Sequence, residues 1–240
     1  YEQMPWTHFK TNESIEMNDT AAIFLRNNGA SINVDYQYNV FEGNNLLYTY
    51  PSSGWRNASV FDYDPVVGNF KYENPPISIN SSVFTSLMLD SVSFLIEHLI
   101  YPDDDNEWND ILYYQQEFNS SFAYDDGVAE SAYGINVSGA KLAYQFKLNR
   151  PDTLRAIQMY FPQMLDSVNH IPFELTVWNN NAGEPGSIIH QQEVKPVHTE
   201  YGALHTYPLD SLFELVGIFY IGWEQVTNDL LNIGLDKNKL

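Results

Sequence analysis

Apolar residues recur at every second position in short runs along this chain, the spacing of strands that bury one face. Residues 31–41 set Ile32, Val34, Tyr36, Tyr38 and Val40 on one side, and a second run at 46–50 follows the turn Glu42-Gly43-Asn44. Residues 91–101 are long enough for a helix, yet Val92, Phe94, Ile96, His98 and Ile100 alternate, which predicts a strand. After the acidic, proline-led segment 102–107 the rhythm resumes at 140–148, 154–161, 172–178, 187–191, 205–209 and 231–235. Residues 217–225 differ. Ile218, Tyr220 and Gly222 alternate with Phe219, Ile221 and Trp223, so both faces are apolar, as in the central strand of a covered sheet.

Composition agrees with an all-β chain. Among 240 residues there are 24 Asn, 13 Gly and 12 Pro to make turns, and 15% are aromatic. Apolar residues make up 44%, too many for a disordered segment. The length accommodates two domains, and the segment 102–107 is the best linker, so domains are expected at 1–114 and 115–240. About eight short strands in the second suit a jelly-roll-like β-sandwich.

Charge narrows the partners. Eleven Lys and Arg against 31 Asp and Glu give a net −20, which repels nucleic acid and anionic membrane, attracts calcium and favours solubility. No run of apolar residues reaches the length of a membrane span. The absence of Cys removes thiol catalysis and Cys-ligated zinc. The chain opens on Tyr1 with no visible signal peptide, and is expected to be a mature product or a piece of something longer.

Three chemistries have candidate residues. Asp125, Asp126 and Glu130 surround Gly127, and calcium, which takes six to eight oxygens, is the structural cofactor such a turn suits. The simpler reading is a turn with solvated acids, Gly127 at positive φ. Trp178 precedes Asn179-Asn180-Asn181, and an indole beside polar amides at Asn179 and Asn181 has the composition of a carbohydrate site; alternatively Trp178 packs in the core. The six His fall at no chelating interval, though His198 and His205 could meet across a hairpin. No Gly-x-Ser-x-Gly elbow, P-loop or dinucleotide fingerprint is present, and no enzyme activity is expected.

Four phrases of the second half, in order, resemble a β-sandwich family of large secreted and cell-surface proteins of Bacteroidetes. They are the run from Phe122 through Ala123-Tyr124-Asp125-Asp126-Gly127 to Glu130 with Tyr133-Gly134; Leu154-Arg155-Ala156-Ile157 leading to Tyr160-Phe161; Val177-Trp178 with Gly183-Glu184-Pro185-Gly186; and Phe219-Tyr220-Ile221-Gly222-Trp223-Glu224-Gln225. The first half is similar in general pattern to the Ig-like modules that precede such domains. The resemblance implies export by the type IX secretion machinery, a secreted or outer-membrane-surface location, and a non-catalytic, adhesion-type binding or scaffolding role. Its partners would be a protein or a glycan at the cell surface. A carbohydrate-binding accessory module of a larger hydrolase or protease is the alternative. Secreted proteins of this lineage carry O-glycans on Asp followed by Ser or Thr and a small or aliphatic residue, which makes Thr20, Ser91, Thr153, Ser167 and Ser211 candidate glycosylation sites. Composition alone would supply such a triplet about 0.6 times.

Overall fold

A computed structural model of the chain describes residues 3–16, 20–21, 32–50, 56–63, 70–71, 77–78, 81–88, 91–101, 110–125, 127, 129–163, 170–200 and 202–236. Asp126, Ser167 and the acidic segment 102–107 lie outside them. The described residues are mostly strand, in several sheets, and the chain divides into two compact units, Tyr1–Ala123 and Tyr124–Leu240.

The first unit contains β1 (Gln3–Pro5), helix α1 (Trp6–Glu16), β2 (Thr20–Ala21), β3 (Ile32–Glu42), β4 (Asn45–Tyr50), β5 (Arg56–Tyr63), β6 (Phe70–Lys71), β7 (Ile77–Ser78), β8 (Val92–Tyr101) and β9 (Ile111–Asn119). Its main sheet runs β1-β9-β8-β3-β5-β6, while β2 pairs with β7. One edge of β3 is shared: β5 takes its first half, from Ile32 to Tyr36, and β4 its second, from Tyr38 to Glu42. Strand β1 lies parallel to β9.

Alternation builds the core here. Tyr38 stands opposite His98 and Val40 opposite Ile96, so the apolar sides of β3 and β8 form one face. Tyr36, Tyr38, Val40 and Phe94 on that face are wholly buried. Helix α1 covers part of this core. Its 11 residues fall short of the ~12–15 that an isolated helix needs, so its stability comes from packing. Trp6 and Phe9 stack on each other at 5.6 Å, Phe9 reaches Phe118 at 4.6 Å, and Trp6 reaches Phe94 at 5.7 Å. Strand β9 ladders onto β8 from Ile111 to Phe118 and onto β1 at its end, so it belongs to this unit.

The second unit holds β10 (Ser131–Ile135), β11 (Lys141–Met159), β12 (Phe173–Asn181), β13 (Glu184–Val194), β14 (His205–Glu224) and β15 (Leu231–Leu235). Four strands form an antiparallel sheet in the order β11-β14-β12-β13, and β10 pairs with β15. The Gly234 N–H donates to the Tyr160 carbonyl at 2.8 Å and ties the small ladder to the end of β11. The doubly apolar run lies where its pattern predicts: β14 sits between β11 and β12, with Phe219, Tyr220, Ile221 and Trp223 all buried.

Two pairs of expected strands merge. The runs 205–209 and 217–225 join within β14. The runs 140–148 and 154–161, read as separate strands, are continuous in β11, which ladders along β14 through two irregularities. At the second, Leu154 opposes Phe213 and Ala156 opposes Pro208, so residues 209–212 bulge from β14. A bulge bends a strand without ending it, and turn-forming residues such as Asn149, Pro151 and Asp152 therefore look like a break in sequence.

Candidate functional site

The expected carbohydrate ring is closed off. Trp178 is 2% exposed, on β12 opposite Tyr220 of β14 and Ile188 of β13, so it offers no face to a sugar. Asn179 and Asn181 are exposed, but the Asn run builds a hairpin. Ala182 and Gly183 both take positive φ, 53° and 94°, as a two-residue turn of the I′ class requires, and Asn180 Oδ1 accepts the Gly183 N–H at 3.0 Å. The residue pattern signalled a turn, and the burial of Trp178 matches the alternative reading that it packs in the core.

The acidic turn is partly described. Gly127 has φ 87°, and its N–H donates to Asp125 Oδ1 at 3.0 Å, an Asx-type turn. Glu130 is exposed and Asp126 lies outside the described residues. Among the described residues, no three His, Asp or Glu side chains gather as a metal-holding group. His198 meets His170 (ring centroids 5.1 Å apart), while His205 packs on Tyr207 at 4.7 Å.

Three of the candidate glycosylation hydroxyls are described, and all are exposed: Ser91 just before β8, Thr153 on β11 and Ser211 in the bulge of β14. Ser211 Oγ donates to Asp210 Oδ1 at 3.0 Å, and the Thr153 N–H donates to Asp152 Oδ1 at 2.7 Å. Thr20 falls on β2, and Ser167 lies outside the described residues.

An aromatic surface that sequence reasoning passed over stands at the start of the second unit. Tyr144 and Phe146, two apart on β11, share a face, and Phe146 stacks at 5.8 Å and 17° on Phe219 directly across the ladder. Tyr124 closes the group, 5.3 Å from Tyr144 and 5.4 Å from Phe146. Exposure grades outward, from Phe219, which is buried, to Tyr144 at 53%. The opening turn thus contributes the Tyr124 ring to this surface.

Negative charge acts on this surface. Burial raises the pKa of the Tyr144 hydroxyl, and Tyr124, Asp125 and Asp236 raise it further, since negative charge nearby opposes a phenolate. Tyr144 is therefore a neutral donor and a ring face at physiological pH. Such a site can stack on a ligand and attract positive charge.

The first unit offers a cleft of about 560 Å³ bordered by Glu42, Gly43, Ser91 and Glu117. Ser86 Oγ donates to Glu42 Oε1 and so occupies one of its acids. Deeper in that unit, the Tyr36 hydroxyl lies 2.6 Å from His98 Nδ1, and burial lowers the His98 pKa to about 4. His98 is a satisfied core residue.

Comparison of the chain with protein-family models, with curated proteins and with solved structures finds no match.

Proposed function

We propose that this chain is a non-catalytic, adhesion-type binding and scaffolding region of a large Bacteroidetes protein, exported by the type IX machinery and displayed or released at the cell surface. Its first unit is Ig-like and its second jelly-roll-like in this reading. One observation carries the binding role: Tyr144 and Phe146 of β11, packed with Tyr124 of the opening turn, form a surface that opens to solvent at Tyr144, and Asp125 and Asp236 act on its hydroxyl. Aromatic groups on ordered strands bind with little loss of conformational freedom. The exposed Ser91, Thr153 and Ser211 support O-glycosylation of an exported chain, for which Thr20 and Ser167 are candidates by sequence. Calcium held by Asp125, Asp126 and Glu130 would stiffen the turn that carries Tyr124.

The carbohydrate-module alternative needs a ring other than Trp178, and half-exposed Tyr144 is available for it.

Binding of the labelled 240-residue chain to intact bacterial and host cells, and to a glycan array, tests the proposal. Saturable binding that unlabelled chain competes away is expected. Absence of saturable binding to every surface, or turnover of polysaccharide, peptide or ester substrates by the chain, overturns it.

A further inference from the structure

The adhesion reading leaves the partner's chemistry open, and the following inference rests on that reading. We infer that the surface formed by Tyr124, Tyr144 and Phe146, with Asp125 and Asp236, receives a guanidinium or ammonium group from an extended basic segment of a partner protein.

The rings are the first ground. An aromatic face carries negative potential and attracts a cation placed over it. Tyr144 is 53% exposed, yet it is held by Tyr124 at 5.3 Å and Phe146 at 5.8 Å, while Phe146 rests on buried Phe219. A ring fixed in this way is already oriented before a ligand arrives.

The second ground is charge. Asp125 comes from the opening turn of the unit and Asp236 from just beyond β15, and both act on the Tyr144 hydroxyl. Two chain segments more than a hundred residues apart thus set negative charge within electrostatic reach of one hydroxyl. A carboxylate beside an aromatic face suits a guanidinium, which can stack on the ring and donate hydrogen bonds in its own plane. The chain's net −20 extends the attraction beyond the contact. A neutral pyranoside would gain the stacking alone, and phosphate or acidic glycans would be repelled.

The third ground is access. Tyr144 lies on β11, the outer strand of its four-stranded sheet, so an extended segment can reach it without opening the fold.

The test uses the full 240-residue chain in chelator-containing buffer, so that no divalent ion masks Asp125. The probes are a fluorescent heptapeptide alternating Gly and Arg, the same peptide with citrulline for Arg, and neutral cellohexaose. The Arg peptide should bind saturably and weaken as salt rises, while citrulline, which keeps the shape and loses the charge, should not bind. Tyr144→Leu should weaken binding about three- to fivefold, the usual worth of an exposed cation–ring contact. Tyr144→Phe should retain it. Asp236→Asn should weaken binding, and Glu184→Gln, at the β12–β13 turn, should leave it unchanged. Equal effects of Tyr144→Leu and Glu184→Gln would mean diffuse attraction and overturn the inference. So would equal binding of the citrulline peptide, or binding of cellohexaose that depends on Tyr144. If the chain binds cells and Tyr144→Leu binds them equally well, this inference falls while the adhesion reading stands; if no surface binds, the adhesion reading falls.

Discussion

Acid should loosen the first unit through His98. The imidazole lies in the β3–β8 core, 7% exposed, between Tyr36 and Tyr38 at ring distances of 6.0 and 6.1 Å. Burial lowers its pKa from 6.5 to about 4, because a charged ring would lose its hydration there. The neutral ring is therefore the native form, and its Nδ1 can accept the Tyr36 hydroxyl at 2.6 Å. An unfolded chain binds a proton at His98 below pH 6.5, whereas the native chain resists until about pH 4. Stability supplied by this group is thus fully present above pH 6.5 and is lost as pH falls toward 4. The gap corresponds to roughly 3 kcal/mol. Native-state hydrogen exchange on peptides covering β3 and β8, converted to opening free energies, reads the effect for wild type and His98→Phe. The variant starts less stable at pH 7.5, since the Tyr36 hydroxyl loses its hydrogen bond to His98, worth about 0.5–1.5 kcal/mol. Between pH 7.5 and 4 the wild type should lose roughly 3 kcal/mol more than the variant. The acidic residues titrate in both proteins and largely cancel in this difference. Parallel curves would refute the reasoning.

Trp178→Ala should cost about 3–5 kcal/mol in the unfolding of the second unit, measured by denaturant titration, because it empties a packed site; a negligible change would contradict its burial. Gly222→Ala should prevent that unit from reaching its native fold, since the added methyl would lie 1.8 Å from the Leu142 carbonyl oxygen; soluble yield and calorimetry check this, with a first-unit transition retained. If calcium is held at the Asp125 turn, saturating it at a hundredfold over its dissociation constant should stabilise the second unit by about 2.7 kcal/mol. Equal melting midpoints in calcium and in chelator would remove the ion from the account.

Side-chain periodicity made much of the strand content readable. Tyr36, Tyr38 and Val40, or Phe94, Ile96 and His98, must share a face in any extended chain, and all are buried. The doubly apolar run at residues 217–225 announced the central position of β14 in the same way. Helix α1 left a fainter trace, because Trp6 and Phe9 are its main inward apolar contacts and they acquire their partners from Phe84, Phe94 and Phe118, far along the chain. The aromatic surface was hidden for a related reason. Tyr124, Tyr144 and Asp236 occupy separate segments, and nothing local to any of them marks the others.

Local geometry therefore settled which residues lie on a common side of each strand, and composition settled the acidity of the whole. Only tertiary structure decided that Trp178 would be enclosed while Tyr144 stayed open, although both are aromatic residues on strands. The physical reason is sheet order: β12 has a neighbour on each side and covered faces, whereas β11 is an outer strand whose side chains can still meet solvent. Backbone alternation sorts side chains between two faces, and the pairing of distant strands determines which of them is covered.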